Sequence, residues 1–149
     1  MYTWGRGESG CLGHNDEANR LVPTKLDRGL LGGCGVVMVS AGALHSVAVT
    51  AKGALFAWGE GEYGQLGVGD KHNRLTPTRL GEEDAFDGSR PDSRVRMAAW
   101  GSLHTLAVTE AGSIWSWGHG GVLGHDDFTR LIPTRVEAQH LHQDRQRRC

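Results

Sequence analysis

Cysteine is scarce in this 149-residue sequence: Cys11, Cys34 and Cys149 are odd in number and widely scattered. Such a set does not make a disulfide framework, and it fits a reducing, intracellular setting, cytoplasmic or nuclear. Proline is also sparse, with four residues. No apolar run approaches the roughly 18 residues that a membrane span needs. The opening Met1-Tyr2-Thr3-Trp4-Gly5-Arg6 lacks the charged-then-apolar layout of a secretory leader. An excess of one charge is missing too. Sixteen Lys and Arg stand against seventeen Asp and Glu, so the basic footprint of a dedicated nucleic-acid binder is absent.

What is plentiful is glycine, with 23 residues. Together with proline it stays below the roughly 25–30% that marks low-complexity disorder, and no Gly-X-Y period suggests collagen. The hydrophobic share of 38% suffices for a core. The glycines therefore punctuate a folded chain.

Self-comparison shows what they punctuate. Three segments align: Trp4-Gly5-Arg6-Gly7-Glu8-Ser9-Gly10-Cys11-Leu12-Gly13, Trp58-Gly59-Glu60-Gly61-Glu62-Tyr63-Gly64-Gln65-Leu66-Gly67, and Trp117-Gly118-His119-Gly120-Gly121-Val122-Leu123-Gly124. Each leads to a matching tail, Arg20-Leu21-Val22-Pro23-Thr24, Arg74-Leu75-Thr76-Pro77-Thr78 and Arg130-Leu131-Ile132-Pro133-Thr134. A second unit occurs twice, as Gly42-Ala43-Leu44-His45-Ser46 and Gly101-Ser102-Leu103-His104-Thr105. Trp4 to Trp58 spans 54 residues and Trp58 to Trp117 spans 59, the difference falling between Pro77 and Gly101. An insertion is therefore placed within Gly81 to Arg94.

Within a unit the pattern reads as β. His45, Val47 and Val49 alternate with Ser46, Ala48 and Thr50, the period of a strand. Short turns at Ala51-Lys52-Gly53 and Glu110-Ala111-Gly112 lead into returning strands at 54–58 and 113–117. An earlier strand precedes each Gly-x-x-His, and a fourth is predicted at the Pro-Thr tail, where proline implies an edge or a strand start. No stretch shows a sustained helical period. Four short strands per repeat predict an all-β fold built from propeller blades.

These residues carry a family resemblance. The Trp-Gly-x-Gly-x-x-Gly-x-Leu-Gly run, the Gly-x-x-His-[Ser/Thr] strand and the Pro-Thr-[Lys/Arg] tail resemble the regulator of chromosome condensation repeat across residues 1–138. The resemblance implies seven-bladed β-propellers built from such repeats. Three Trp-Gly halves but only two Gly-x-x-His halves predict a partial propeller of about two and a half four-stranded blades. The expected division is a half-blade at 1–35, a complete blade with an acidic insertion at 36–94, a shortened blade at 95–138, and a disordered polar, basic tail at 139–149. Such a chain reads as a fragment, a truncated gene product or one piece of a longer propeller.

The chemical readings are weaker than the architectural one. Gly5 to Gly10 and Gly59 to Gly64 spell G-x-G-x-x-G, but Cys11-Leu12-Gly13-His14 cannot open the helix that a dinucleotide site needs. The histidines and cysteines assemble no zinc spacing, so no metal or cofactor is expected. His45 and His104 share one repeat position and read as buried hydrogen-bonding residues rather than catalysts. Ser46 and Thr105 follow them on the opposite strand face, so neither makes a Ser-His dyad with its neighbour. Trp4, Trp58 and Trp117, with Gly5, Gly59 and Gly118, read as packing anchors, as do Pro23, Pro77 and Pro133. Trp100 stands where the other copy has Ala41, and is a candidate exposed contact. The insertion supplies further candidate partner contacts: Glu82, Glu83, Asp84, Phe86, Asp87 and Arg90.

The expected function is a non-catalytic protein–protein interaction module. The resemblance implies two alternatives, a piece of a guanine-nucleotide exchange factor for a small GTPase and the targeting repeats of a HECT-type ubiquitin ligase. Protein partners are expected; membrane and nucleic acid are not.

Overall fold

The computed structural model describes residues 1–81, 86, 89–125 and 127–137. Among the described residues, ten strands fall in three antiparallel sheets. β1 (Tyr2–Gly5) pairs with β2 (Arg20–Lys25). The second sheet runs β3 (Val36–Ala41), β4 (His45–Thr50), β5 (Leu55–Gly59) and β6 (Arg74–Arg79), and the third runs β7 (Val95–Trp100), β8 (His104–Thr109), β9 (Ile114–Gly118) and β10 (Arg130–Arg135), each as a simple meander. The fold is all-β, a partial propeller with two four-stranded blades and a two-stranded one. Short 3-10 turns at Glu8–Gly10 and Arg28–Leu31 are its only helical pieces among the described residues. None is long and apolar enough to cross a membrane.

The outer strand of every blade is irregular at the same place. Thr3 pairs with Thr24 and Gly5 with Arg20, so three residues, Leu21, Val22 and Pro23, face the single Trp4. Ala57–Thr78 and Gly59–Arg74 repeat this, as do Ser116–Thr134 and Gly118–Arg130. Proline has no N–H to give the ladder, so the extra residues bulge outward at an edge strand. The bulge carries a leucine, Leu21, Leu75 or Leu131, away from its own sheet.

Hydrophobic burial occurs at the two seams between blades. One cluster, with Leu26, Leu31, Ala48, Phe56 and Trp58, lies between the half-blade and the second sheet. The other, with Val47, Leu55, Leu66, Phe86, Ala98 and Trp117, joins the second sheet to the third. A blade sandwiched between neighbours is buried on both faces. That is why five of the six residues of β4, not every second one, are shielded from solvent.

Candidate functional site

The functional side chains of the repeat converge on the seams. Trp58 Nε1 donates to the carbonyl oxygen of Cys11 at 2.9 Å, and Ser46 Oγ donates to the same oxygen at 2.9 Å. One blade later, Trp117 Nε1 and Thr105 Oγ1 donate to the carbonyl of Gln65 at 2.9 and 2.7 Å. A carbonyl has two lone pairs, and here both are filled by the next blade. The acceptor precedes the Leu-Gly that closes each Trp-Gly run. The Trp of one repeat thus reads the turn of the repeat before it.

The bulge leucine adds shape to this polar fastening. Leu75 lies so close to Gly10 that a β-carbon there would overlap it, and Leu131 stands in the same relation to Gly64. These glycines hold φ of +75° and +74°, a backbone that side chains rarely adopt. The Leu75 and Leu131 carbonyls also accept from Asn15 N and Gly69 N, each at 2.9 Å.

The Gly-x-x-His spacing has its own cause. Each imidazole folds back over its glycine: a β-carbon at Gly42 would lie 2.8 Å from His45 Cε1, and one at Gly101 would overlap the His104 ring. His45 is buried, and its ring meets Trp100 edge-on with centroids 3.8 Å apart. Burial pulls its pKa down to about 4. Its Nε2 has no hydrogen-bond partner among the described residues. His104 is only half-buried.

Several sequence expectations change here. Phe86, a candidate partner contact, is fully buried between Trp115 and Trp117, with ring centroids 5.4 and 6.0 Å away. An aromatic ring within an acidic insertion is thus turned into the seam, because that is where apolar surface waits for it. Trp100 is not a free contact either: besides meeting His45, its Nε1 donates to the Ser40 carbonyl at 3.2 Å, joining the third blade to the second. Trp4 is 57% exposed, unlike Trp58 and Trp117 at 1% and 0%, so it does not act as a buried anchor. Its seam would need a blade on the side where, among the described residues, there is none. Pro77 is buried, Pro133 half-buried and Pro23 exposed, in step with the neighbour each blade has. Gly5, Gly59 and Gly118 each close a strand. Arg90 is exposed; Glu82, Glu83, Asp84, Asp87 and the tail from 138 lie outside the described residues.

One pair escaped sequence reasoning. Thr3 Oγ1 donates to the Leu12 carbonyl at 2.8 Å and lies 2.9 Å from His14 Nε2. Ser116 Oγ repeats this with the Leu123 carbonyl at 2.6 Å and His125 Nε2 at 2.8 Å. The hydroxyl has one hydrogen and gives it to the carbonyl, so the imidazole Nε2–H donates to the hydroxyl. The middle blade has Ala57 and Val68 at these positions. The signal lay in the repeats themselves, where both residues change together.

Beside Trp4, a cleft of about 260 Å³ is lined by Tyr2, Val39, Ala41, Ser46 and Trp58 among others. No His, Cys, Asp or Glu cluster fit for a metal ion occurs among the described residues.

The repeated seam, with its Trp–carbonyl and leucine–glycine contacts, agrees with a sequence match: the regulator of chromosome condensation (RCC1) repeat matches residues 1–49 and 52–108. The chain belongs to the RCC1 repeat family. It is 40% identical over 93% of its length to the ultraviolet-B receptor UVR8 of Arabidopsis thaliana, of which it covers 30%. It is 37% identical over 93% of its length to the human E3 ubiquitin-protein ligase HERC2, of which it covers 3%. The chain thus spans less than a third of either relative. Among solved structures, human WBSCR16 is similar with a TM-score of 0.77 and 29% identity, covering 93% of this chain and 33% of that one. Prp20p of Saccharomyces cerevisiae, described with its binding to Gsp1p and histones, shares the fold with a TM-score of 0.71 and 23% identity. That match covers 91% of this chain and 34% of Prp20p.

Proposed function

We propose that the chain is a non-catalytic protein–protein interaction module, a portion of an RCC1-type propeller scaffold divided into units 1–35, 36–94 and 95–138. The observation that carries this reading is the use made of its reactive side chains. Ser46 and Thr105, the hydroxyls beside the repeated histidines, give their hydrogens to the carbonyls of neighbouring blades. The His45 ring is packed against an indole rather than aimed at a hydroxyl. Side chains that could do chemistry hold blades together instead, and binding is left to surfaces. The charged insertion with Glu82, Glu83, Asp84, Asp87 and the exposed Arg90 is the contact we assign to a partner, since loops interrupting a repeat gather on binding faces.

Within that reading, the similarity to an E3 ubiquitin-protein ligase supports a ubiquitin-pathway partner. The shared fold with Prp20p keeps a small GTPase as the alternative. Nucleotide release from a panel of small GTPases separates the two. The scaffold reading expects release at the spontaneous rate, and acceleration by the chain would overturn it. Charge reversal at Glu82, Glu83 and Asp84 together is expected to weaken partner capture while leaving the melting temperature unchanged.

A further inference from the structure

The middle blade, the one blade with a described neighbour on each side, carries a pocket at the end opposite its Trp-Gly run. Its volume is about 410 Å³. The walls come from the turn between β4 and β5, the end of β6, and the two connections that enter and leave the blade. Lys52, Arg79 and Arg94 bring three cations to it, Ser89 a hydroxyl, and the buried Leu31 and Phe56 an apolar lining. No Asp or Glu among the described residues lines it.

Backbone contacts bring Arg94 to Lys52. Val95 N donates to the Gly53 carbonyl at 2.9 Å, and Glu110 N donates to the Arg94 carbonyl at 2.9 Å. Gly53 holds φ +76°, and a β-carbon there would lie 2.8 Å from Arg94 Cα, so the chain at Arg94 runs directly over the turn that carries Lys52. Two of the three cations also depart from the repeat. The third blade has Ala111 where the second has Lys52, and the connection into the second blade has Gly35 where the connection out of it has Arg94. The framework requires neither charge. Arg79 is the regular one, with Lys25 and Arg135 at its repeat position. Of the carboxylates close to Arg94 in the described chain, Asp92 accepts from Ser113 Oγ at 2.9 Å. Glu110 approaches Arg94 at 3.8 Å, both half-exposed, but a guanidinium has five N–H donors and one carboxylate does not exhaust them.

We propose that this pocket binds a phosphorylated side chain of a protein partner. A phosphoryl group carries up to about two negative charges near neutral pH and three acceptor oxygens, which three cations and a hydroxyl meet together. Arg79 and Arg94 present planar forks that match phosphate oxygens two at a time, and Lys52 adds a point charge. A carboxylate brings one charge and two oxygens, so it fills such a site less well. The apolar lining suits the carbon stem that joins a phosphate to its peptide, which free phosphate lacks. Lys52, Arg79 and Arg94 are exposed. Salt therefore screens them, and binding weakens as ionic strength rises. Recognition of this kind rests on the partner being a protein, as proposed above, and names the chemistry that the partner presents.

Amide NMR shifts of the full chain test this. The probes are randomised peptide pools with one central phosphoserine, phosphothreonine or phosphotyrosine, the same pools unphosphorylated, and inorganic phosphate. At low ionic strength at least one phosphorylated pool is expected to shift the Lys52, Gly53 and Arg94 amides, and the unphosphorylated pools to leave them in place. Inorganic phosphate is expected to need about tenfold higher concentration or more. K52E is expected to weaken binding about tenfold or more, K52R to keep it, and R79E to weaken it as well. R135E changes the same repeat position as Arg79 on the third blade, outside the pocket, and is expected to bind as wild type does. Lys52 sits on an exposed turn, so K52E decides the matter if R79E misfolds. Equal binding by the unphosphorylated pools, or wild-type affinity in K52E, would overturn the proposal. So would R135E weakening binding as much as K52E, which would reduce the effect to net charge, or inorganic phosphate binding as tightly as the peptides. Binding that emerges only after Glu82, Glu83, Asp84 and Asp87 are neutralised would overturn it too, since the insertion would then be the occupant. If no pool binds while charge reversal at Glu82, Glu83 and Asp84 still weakens partner capture, the site fails and the interaction-module reading stands.

Discussion

Trp117 and Gln65, 52 residues apart, are joined by a 2.9 Å hydrogen bond from indole to backbone carbonyl, and both are fully buried. Trp58 and Cys11 make the same bond one repeat earlier. A blade of this chain is therefore not an independent unit, since its signature tryptophan is satisfied only by the blade before it. In repeat architectures the stability is a sum of unit and interface contributions, and here the interface carries the polar fastening as well as the apolar burial.

Phe86 follows from that as a stability residue. Its ring is fully buried against Trp115 and Trp117. Phe86→Ala is expected to cost about 3–5 kcal/mol, as for other buried aromatic truncations. The midpoint of urea unfolding measures it. A loss below about 1 kcal/mol would mean that the ring is solvated in solution.

His45 makes the seam pH-dependent. Burial lowers its folded pKa to about 4, against an unfolded value near 6.5. The folded state disfavours the proton, so the contribution is fully present above about 6.5 and is lost as pH falls toward 4. Up to about 3 kcal/mol is at stake. Asp70, held at about 2 by its hydrogen bond with Arg74, gives a loss only at lower pH. Melting temperatures of wild type and His45→Asn, compared from pH 7 to pH 4, are expected to converge as the pH falls. Parallel curves would sink the assignment.

The hydroxyl–histidine pairs are interchangeable with the middle blade's apolar pair. Ser116→Ala alone leaves the Leu123 carbonyl without its hydroxyl donor and His125 Nε2–H without its acceptor. It is expected to cost about 1–2 kcal/mol. Adding His125→Val recreates the Ala57–Val68 combination and is expected to recover much of that loss. If the double variant is less stable than the sum of the singles, the pairing is wrong.

Much of this was legible in the sequence, because repetition exposes a framework that one copy would hide. The strands His45–Thr50 and His104–Thr109 and the tails ending in Pro-Thr were predictable from matched offsets alone. Side-chain fate was not. Trp4 opens the same Trp-Gly-x-Gly run as Trp58, yet stands exposed, because its burial depends on another blade. Phe86 lies in the insertion, which has no second copy to compare, so nothing in its charged surroundings revealed that it points inward. Trp100 looked unpaired because Ala41 is its counterpart; its partners, His45 and Ser40, belong to the preceding blade.

The most direct test of the repeated fastening is a double-mutant cycle on the Gln65 carbonyl, using Trp117→Phe and Thr105→Val. Each change removes one donor and leaves the other in place, so the carbonyl stays satisfied in both single variants. The double variant orphans a buried acceptor, and its loss of stability is expected to exceed the sum of the singles by about 1 kcal/mol. Strictly additive losses, measured by denaturant unfolding, would contradict the account, for they would mean that the two donors do not share that oxygen.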